Sequence, residues 1–311
     1  MEKYKLGPWL IVIAAMLWAI DAPFRKFLTV DLSSTTIVFM EHVLIAVLVL
    51  VFLFRYLGEL KNLSWKEWLA VVFIAAGGSA LATVFFTQSF RYVNPSVAIL
   101  LQKVQPFIAI LLAAIFLKER LSKKFWLYAL IAIFGAYLIT FPEFKISGLN
   151  FTGGGLGVMF ALLAAVLWGG STVFGRLVLR KISFQAVTAV RFLAALVFLF
   201  LLQIYYGRLG EVASASGKDW LFVFIIAVIA GFISLFIYYQ GLQTTKASIA
   251  TLGELAFPFA AVVVNWIFLD ASLEIGQIVG GVILLGAIWG LTQVNESDAL
   301  QNPYKSAILE S

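Results

Sequence analysis

The chain has 311 residues, of which 62% are hydrophobic and 12% charged, and it contains no cysteine. An ordinary soluble domain is about half apolar and about one quarter charged, so this composition excludes a water-soluble domain and is typical of an integral membrane protein. The net charge of +6 comes from basic residues at the ends of apolar segments, which argues against nucleic acid as a partner.

Apolar runs between charged or turn-forming breaks predict ten membrane-spanning helices, because a helix needs about 20 residues to cross the hydrocarbon core. The predicted spans are 8–28, 34–55, 67–90, 96–117, 124–141, 155–176, 184–206, 219–241, 248–269 and 273–293. Most of the 22 lysines and arginines fall on one side if the N-terminus is cytoplasmic. The positive-inside rule therefore predicts both termini in the cytoplasm, with Arg25 on the external side. We expect the membrane to be a bacterial inner (cell) membrane.

The two halves of the sequence resemble each other at offsets of 150 and then 152 residues. Matched pairs include Trp18 with Trp168, Gln88 with Gln240, and Pro106 with Pro258. Because each half holds five spans, the second half must enter the bilayer in the opposite orientation, as in many secondary transporters. The expected fold is all-α, with ten transmembrane helices in two inverted five-helix repeats, 1–147 and 148–294, and a cytoplasmic tail at 295–311.

Two matched stretches carry a family resemblance: PSVAILLQKVQPFIAILLAAIFLKERLSKKFW at 95–126 and ASIATLGELAFPFAAVVVNWIFLDASLEIGQIVGG at 247–281. With ten spans in two halves, the chain resembles EamA-type members of the drug/metabolite transporter superfamily. The resemblance implies secondary transport of a small metabolite, often export of amino acids or related polar compounds, through a cavity open alternately to each side. Ala271 stands where the family usually repeats Glu119, so Glu119 is either functional or a cap for the helix that follows it.

Charged side chains inside the bilayer are costly and mark functional or paired positions. Asp21, Glu41 and Lys103 share one level, about 10 Å from one membrane edge, and Arg191 and Glu254 share the corresponding level near the other edge. We therefore expect Lys103 to pair with Glu41 or Asp21, and Arg191 to approach Glu254. These residues are predicted to act in gating or proton coupling, the alternative being static ion pairs that fix helix register.

Pro106 and Pro258 break spans 4 and 9 at matched positions, and such breaks indicate a binding site near the membrane midplane. The predicted substrate-binding residues around that depth are aromatic, amide or basic: Trp18, Trp168, Gln88, Gln240, Phe85, Tyr239, Gln102, Lys103 and Gln105. The alternative for any single aromatic residue is contact with lipid or with a neighbouring helix.

The leading hypothesis is a proton-coupled or facilitated transporter of small organic solutes, most plausibly an amino-acid or metabolite exporter. The alternatives are a carrier of phosphorylated or nucleotide-linked sugars, an intramembrane enzyme, and a structural or receptor protein. The sequence lacks a Ser/His dyad, a paired metal-ligand motif and a phosphate-binding loop, so no enzyme activity, metal or cofactor is predicted. The expected partners are a small-molecule substrate, membrane lipid and protons. Span 10 has two small-xxx-small spacings, at Gly276/Gly280 and Gly286/Gly290, that favour internal packing or a homodimer.

Overall fold

A computed structural model describes residues 2–93, 95–141, 155–269 and 274–300, and within them it contains ten helices long and apolar enough to cross a membrane. They are span 1 (Tyr4–Asp31), span 2 (Ser34–Asn62), span 3 (Trp65–Ser89), span 4 (Val97–Leu117), span 5 (Lys123–Thr140), span 6 (Gly155–Val178), span 7 (Phe184–Tyr205), span 8 (Gly217–Leu242), span 9 (Ala247–Val264) and span 10 (Ile275–Ala299). The predicted all-helical, ten-span fold is confirmed. The predicted boundary between the repeats, at 147/148, lies outside the described residues.

Spans 4 and 9 are each broken in the middle, at equivalent positions of the two repeats. Span 4 consists of the helices Pro95–Gln102 and Gln105–Leu112, and span 9 of Ala247–Gly253 and Ala256–Leu269. Each break lies just before a proline, whose missing N–H cannot donate to the preceding helical turn. Both breaks therefore follow from the sequence pattern.

Spans 3 and 8 widen into π-helix at equivalent positions, Phe73–Leu81 and Ile226–Ile233. Span 1 is also divided, into Glu2–Trp18 and Asp21–Asp31. π-Helical turns inside α-helices occur frequently at functional sites. The interrupted helices thus surround the centre of the molecule.

Two predicted helix ends differ from the structure. Span 1 continues to Asp31, beyond the expected end at residue 28, and Arg25 is 1% exposed instead of external. The last helix, Ile275–Leu300, passes through the start of the predicted tail, and Asn295 is buried there. Asn295 donates to the carbonyl oxygens of Tyr4 and Thr244, each at 3.1 Å, so the start of span 1 and the end of span 10 lie on the same side of the molecule.

Spans 2 and 7 pack side by side and are joined at both ends. Glu59, in the 3-10 helix Leu57–Asn62 that ends span 2, accepts a hydrogen bond from the Ser183 backbone N–H at 2.6 Å. Glu211, in the short helix Leu209–Ser214 after span 7, accepts one from the Ser33 backbone N–H at 3.0 Å. Since the end of each span meets the start of the other, spans 2 and 7 are antiparallel, as inverted repeats require.

Spans 5 and 10 pack against each other at the periphery through glycines. A Cβ on Gly135 would lie 2.8 Å from the Gly280 carbonyl oxygen, and one on Gly280 would lie 2.7 Å from that of Gly135. No larger residue fits at this crossing. Gly280 therefore serves packing within the chain.

Glu119 caps a different helix from the one expected. Its carboxylate accepts hydrogen bonds from the backbone N–H groups of Ala247 at 2.8 Å and Ser248 at 3.1 Å, at the start of span 9. Span 5, which follows Glu119 in the chain, is capped by the Ser122 hydroxyl instead. A cap was one of the two alternatives for Glu119, and the sequence could not show which helix start lies nearby.

Candidate functional site

A central cavity of about 130 Å³ lies between the two halves of the chain. All spans except 5 and 10 contribute to its described lining. Its polar and charged lining comes from the second segment of span 1 (Asp21–Asp31), from spans 2, 3, 6, 7 and 8, and from the breaks of spans 4 and 9. The cavity is thus lined by interrupted helices (spans 1, 3, 4, 8 and 9) together with the continuous helices of spans 2, 6 and 7.

Two aromatic pairs face the cavity, and each pair joins one residue of the first half to one residue of the second. The rings of Trp18 and Tyr238 lie 5.4 Å apart between centroids, and those of Trp168 and Phe86 lie 5.1 Å apart. These two pairs are equivalent under the repeat, since Trp18 corresponds to Trp168 and Phe86 to Tyr238. Trp168 Nε1 also donates to the Gly78 carbonyl oxygen at 2.9 Å, which fixes its ring in the wall.

Four of the predicted substrate-binding residues lie elsewhere. Gln88 accepts a hydrogen bond from Ser34 at 2.7 Å, Gln240 is exposed on the outside of span 8, and Phe85 stacks on Phe160 at 5.6 Å. Tyr239 is fully buried behind the cavity wall. Adjacent helical residues point about 100° apart, so a correct depth does not determine which residue faces the cavity.

Arg25 is the centre of a buried charge cluster at the cavity. Its guanidinium donates to both carboxylate oxygens of Asp21, at 2.6 and 2.8 Å, and to Glu41 Oε2 at 3.1 Å. Arg25 Nη1 also donates to the Thr87 hydroxyl at 3.0 Å. Asp21 and Glu41 therefore share an arginine from span 1, and the expected pairing with Lys103 is wrong in this conformation.

Lys103 instead contacts span 5. Its ammonium donates to the Ala136 carbonyl oxygen at 3.2 Å and to the Thr140 hydroxyl. The signal that could have identified Arg25 was its spacing of four residues from Asp21, together with apolar residues that continue as far as Val30.

Arg191 and Glu254 both line the cavity, but each is bound by neutral groups. Arg191 Nε donates to the Ser79 hydroxyl at 2.6 Å, and its Nη1 donates to the Ser171 hydroxyl at 3.1 Å and the Tyr239 hydroxyl at 2.7 Å. Within the described residues no carboxylate forms an ion pair with Arg191. The expected direct pair with Glu254 is therefore absent from this conformation.

Glu254 is held by three neutral donors from three different spans. Its Oε1 accepts from the Tyr238 hydroxyl at 2.6 Å and the Thr172 hydroxyl at 3.2 Å, and its Oε2 accepts from the Gln105 amide. Glu254 and Arg191 thus both line the cavity, and neither forms an ion pair with another residue of the described chain.

Two acceptor atoms at the cavity have no partner among the described residues. His42 Nδ1 lies 2.8 Å from the Val38 carbonyl oxygen, which can only accept, so Nδ1 carries the hydrogen and Nε2 is an acceptor. His42 Nε2 and Gln102 Oε1 are both buried and unpaired. Leaving such an atom unsatisfied costs about 1–3 kcal/mol, so both are suited to contact a solute or water.

Pro106, Pro258 and Lys103 line a second, smaller chamber of about 30 Å³ at the breaks of spans 4 and 9. It shares Gln102, Gln105 and other residues with the central cavity. No cluster of three His, Cys, Asp or Glu side chains that could hold a metal ion is present in the described ranges.

Comparison with known proteins identifies the class to which this fold and cavity belong. The chain matches the EamA-like transporter family over residues 5–141 and 155–293, which correspond to the two five-span halves. It therefore belongs to that family, and it is a multi-pass membrane transporter.

Individual relatives support the same class. The chain is 30% identical over 303 residues to the riboflavin transporter ImpX of Fusobacterium nucleatum subsp. nucleatum, covering 95% of this chain and 100% of the relative. It is 26% identical over 230 residues to an uncharacterised transporter of Archaeoglobus fulgidus, covering 73% of this chain and 78% of the relative. A crystal structure of a protein with 17% identity has the same fold, with a TM-score of 0.71 over 93% of this chain and 98% of that one.

Proposed function

We propose that this chain carries a small organic solute through the central cavity by alternating access, and that the solute contains a flat ring system with hydrogen-bond donors. The observation that carries this proposal is the pairing of two equivalent aromatic walls with the free acceptors His42 Nε2 and Gln102 Oε1. Aromatic walls with a few fixed polar groups are typical of small-molecule sites.

Riboflavin is the first candidate substrate. A relative that aligns along its whole length with this chain carries the name riboflavin transporter. The flavin ring is flat and has an N–H donor between two carbonyl oxygens. The acceptor Nε2 of His42 suits that N–H, and Arg191 Nη2, which makes no hydrogen bond to the described residues, suits a carbonyl oxygen.

The cavity must widen to take such a solute. Ligand pockets commonly measure about 300–1,000 Å³, whereas this cavity measures about 130 Å³. The described conformation is then a narrow state of the transport cycle, and loading requires the two halves to separate on one side.

A zwitterion such as an amino acid is the second candidate, favoured by Arg191 and Glu254. Each of these charges is held only by neutral groups and lines the cavity, so an amino acid could neutralise both. The charged lining comprises three acids and two arginines, which disfavours phosphorylated or nucleotide-linked sugars because their negative charge would be unmatched.

We further propose export from a bacterial cell with protons as the coupling ion, and with both termini in the cytoplasm. Asp21, Glu41 and Glu254 are carboxylates at the cavity wall and are therefore the groups that could bind a transported proton. The positive-inside distribution of lysine and arginine supports the orientation.

The test is flux measured in proteoliposomes, with riboflavin and amino acids presented separately, with and without a pH gradient. His42→Phe installs the residue that the repeat places at the equivalent position, Phe192, and removes the acceptor. We expect riboflavin flux to fall about tenfold or more, as the loss of one buried hydrogen bond to substrate implies. Gln240→Ala, on the exposed side of span 8, is the control and should leave flux unchanged.

Saturable amino-acid flux without riboflavin flux would support the second candidate. Folded protein that moves neither class would contradict both substrate assignments.

A further inference from the structure

The small chamber at the breaks of spans 4 and 9 is lined by equivalent residues of the two repeats. Its wall consists of Trp18 and five pairs of residues that correspond to each other at an offset of 152. Within those pairs the polar members differ between halves, for example Thr251 opposite Ile99 and Lys103 opposite Leu255. The polar groups of the chamber are therefore arranged asymmetrically although its framework is symmetric.

Besides Gln105, whose Oε1 accepts from the Gln102 amide at 3.5 Å, three oxygen-bearing side chains line this chamber. Gln102 Oε1 and Thr251 Oγ1 are buried and have no partner in the described part of the chain, and the carboxylate of Glu254 lines the same space. A volume of about 30 Å³ admits only one or two water-sized groups, since one water needs about 10–15 Å³ of such space. The chamber thus presents acceptors to a small cation or to water.

Lys103 lies at the edge of the chamber, but its ammonium is bound elsewhere. The Nζ atom donates to the Ala136 carbonyl oxygen at 3.2 Å and to the Thr140 hydroxyl, both on span 5. These are neutral acceptors, whereas a carboxylate, that of Glu254, lines the chamber beside it. A lysine ammonium carries three donors on a flexible four-carbon stem, and the chamber offers three acceptor groups.

We propose that the Lys103 ammonium has two binding positions: the observed one on span 5, and a second one in the chamber, bound by Gln102 Oε1, Thr251 Oγ1 and Glu254. Occupying the second position draws the broken segments of spans 4 and 9 together. Each position of Lys103 therefore favours a different conformation, one with the cavity open to one side of the membrane and one with it open to the other. This inference rests on the proposed function only in requiring two conformations. Other charged side chains line the adjoining cavity: Asp21 and Arg25 from span 1, Glu41 from span 2 and Arg191 from span 7.

The experiment compares two isosteric variants that each remove one hydroxyl. Thr140→Val weakens the position on span 5, and Thr251→Val weakens the position in the chamber. Accessibility is read from a single cysteine at Thr83, which lines the central cavity of a chain with no native cysteine. The rate of its labelling by an impermeant maleimide is measured from each side of the membrane.

We expect the ratio of the two labelling rates to shift in opposite directions in the two variants, each by about tenfold, which corresponds to about 1.4 kcal/mol. In a Lys103→Met background both shifts should disappear. Thr292→Val is the matched control, because Thr292 is a buried threonine of span 10 whose hydroxyl donates to the Ile288 carbonyl oxygen of its own helix and to no other described residue.

Three results would overturn the proposal. A Thr251→Val shift that persists with Lys103→Met would identify the chamber as a water site. A shift that requires sodium in the buffer would identify an external cation as the occupant. Unchanged labelling in both threonine variants, with folded protein, would exclude both positions. Because labelling needs no substrate, an incorrect substrate assignment would leave this result unaffected.

Discussion

Replacing Arg25 tests whether the buried charge cluster depends on this arginine. Arg25 is 1% exposed and bonds two carboxylates, Asp21 and Glu41. Arg25→Met keeps an apolar stem but leaves both acids without their cation, and removing one partner of a buried pair costs about 3–5 kcal/mol. At about 2–4 °C per kcal/mol, the thermal midpoint should fall on the order of 10 °C.

The assay is thermal unfolding in detergent, followed by intrinsic tryptophan fluorescence. Arg55→Met is the matched control, since Arg55 is exposed and forms no ion pair among the described residues, and its effect should stay within about 0.5 kcal/mol. Adding Asp21→Asn and Glu41→Gln to Arg25→Met removes the unpaired charges and should recover most of the loss. If the triple variant recovers nothing, Arg25 stabilises through packing of its stem and the charge argument is refuted.

Four further outcomes are expected. Trp18→Ala should reduce transport more than Trp126→Ala, measured as initial flux, because only the former lines the cavity. Asn295→Leu removes three part-buried hydrogen bonds, from the Lys246 backbone N–H and to the carbonyl oxygens of Tyr4 and Thr244, and should lower the thermal midpoint by several degrees. Desolvation raises the pKa of Glu211. Hydrogen bonds from Ser33, with smaller contributions from Thr36 and Arg208, together outweigh this and hold the pKa below its usual value. Stability from Glu211 is therefore present above the unfolded-state pKa and lost as pH falls through the folded-state value, a dependence that Glu211→Gln should remove in pH-dependent melting curves. A cysteine at Ser214 should react with an impermeant maleimide from outside the cell, and reaction from the cytoplasm alone would contradict the proposed orientation.

The number of spans and the repeat could be predicted because both depend on composition and chain order. Ten apolar runs of sufficient length and two stretches that match at a fixed offset require no knowledge of side-chain direction. The breaks in spans 4 and 9 were also predictable, since Pro106 and Pro258 remove a backbone donor wherever they lie. The structure confirms the fold at that level.

The partners of the buried charges could not be predicted in the same way. Helical rise gives the depth of a residue, but depth places Lys103 and Asp21 together while leaving their directions around the helix undefined. Lys103 points to span 5, and the nearer cation for Asp21 is Arg25, one turn away on its own helix. The sequence pattern ends the first span near residue 28 and so places Arg25 at the external side, whereas the helix continues to Asp31.

The repeat shows how one framework produces two different polar sites. In the first half, Arg25 bonds Thr87 and the acid Glu41. At the equivalent positions the second half has Gly175, Tyr239 and Arg191.

A Cβ on Gly175 would lie 2.9 Å from Cε1 of the Tyr239 ring, so the ring occupies the space beside the glycine where the first half has a guanidinium. Tyr239 then bonds Arg191 at 2.7 Å, and Ser171, which corresponds to Asp21, bonds Arg191 at 3.1 Å. The first half therefore holds an arginine bound by two acids, and the second holds an arginine bound by neutral hydroxyl groups. Because an arginine without a carboxylate partner retains its attraction for an anionic or carbonyl group, the second half is where the proposed solute should be bound most strongly.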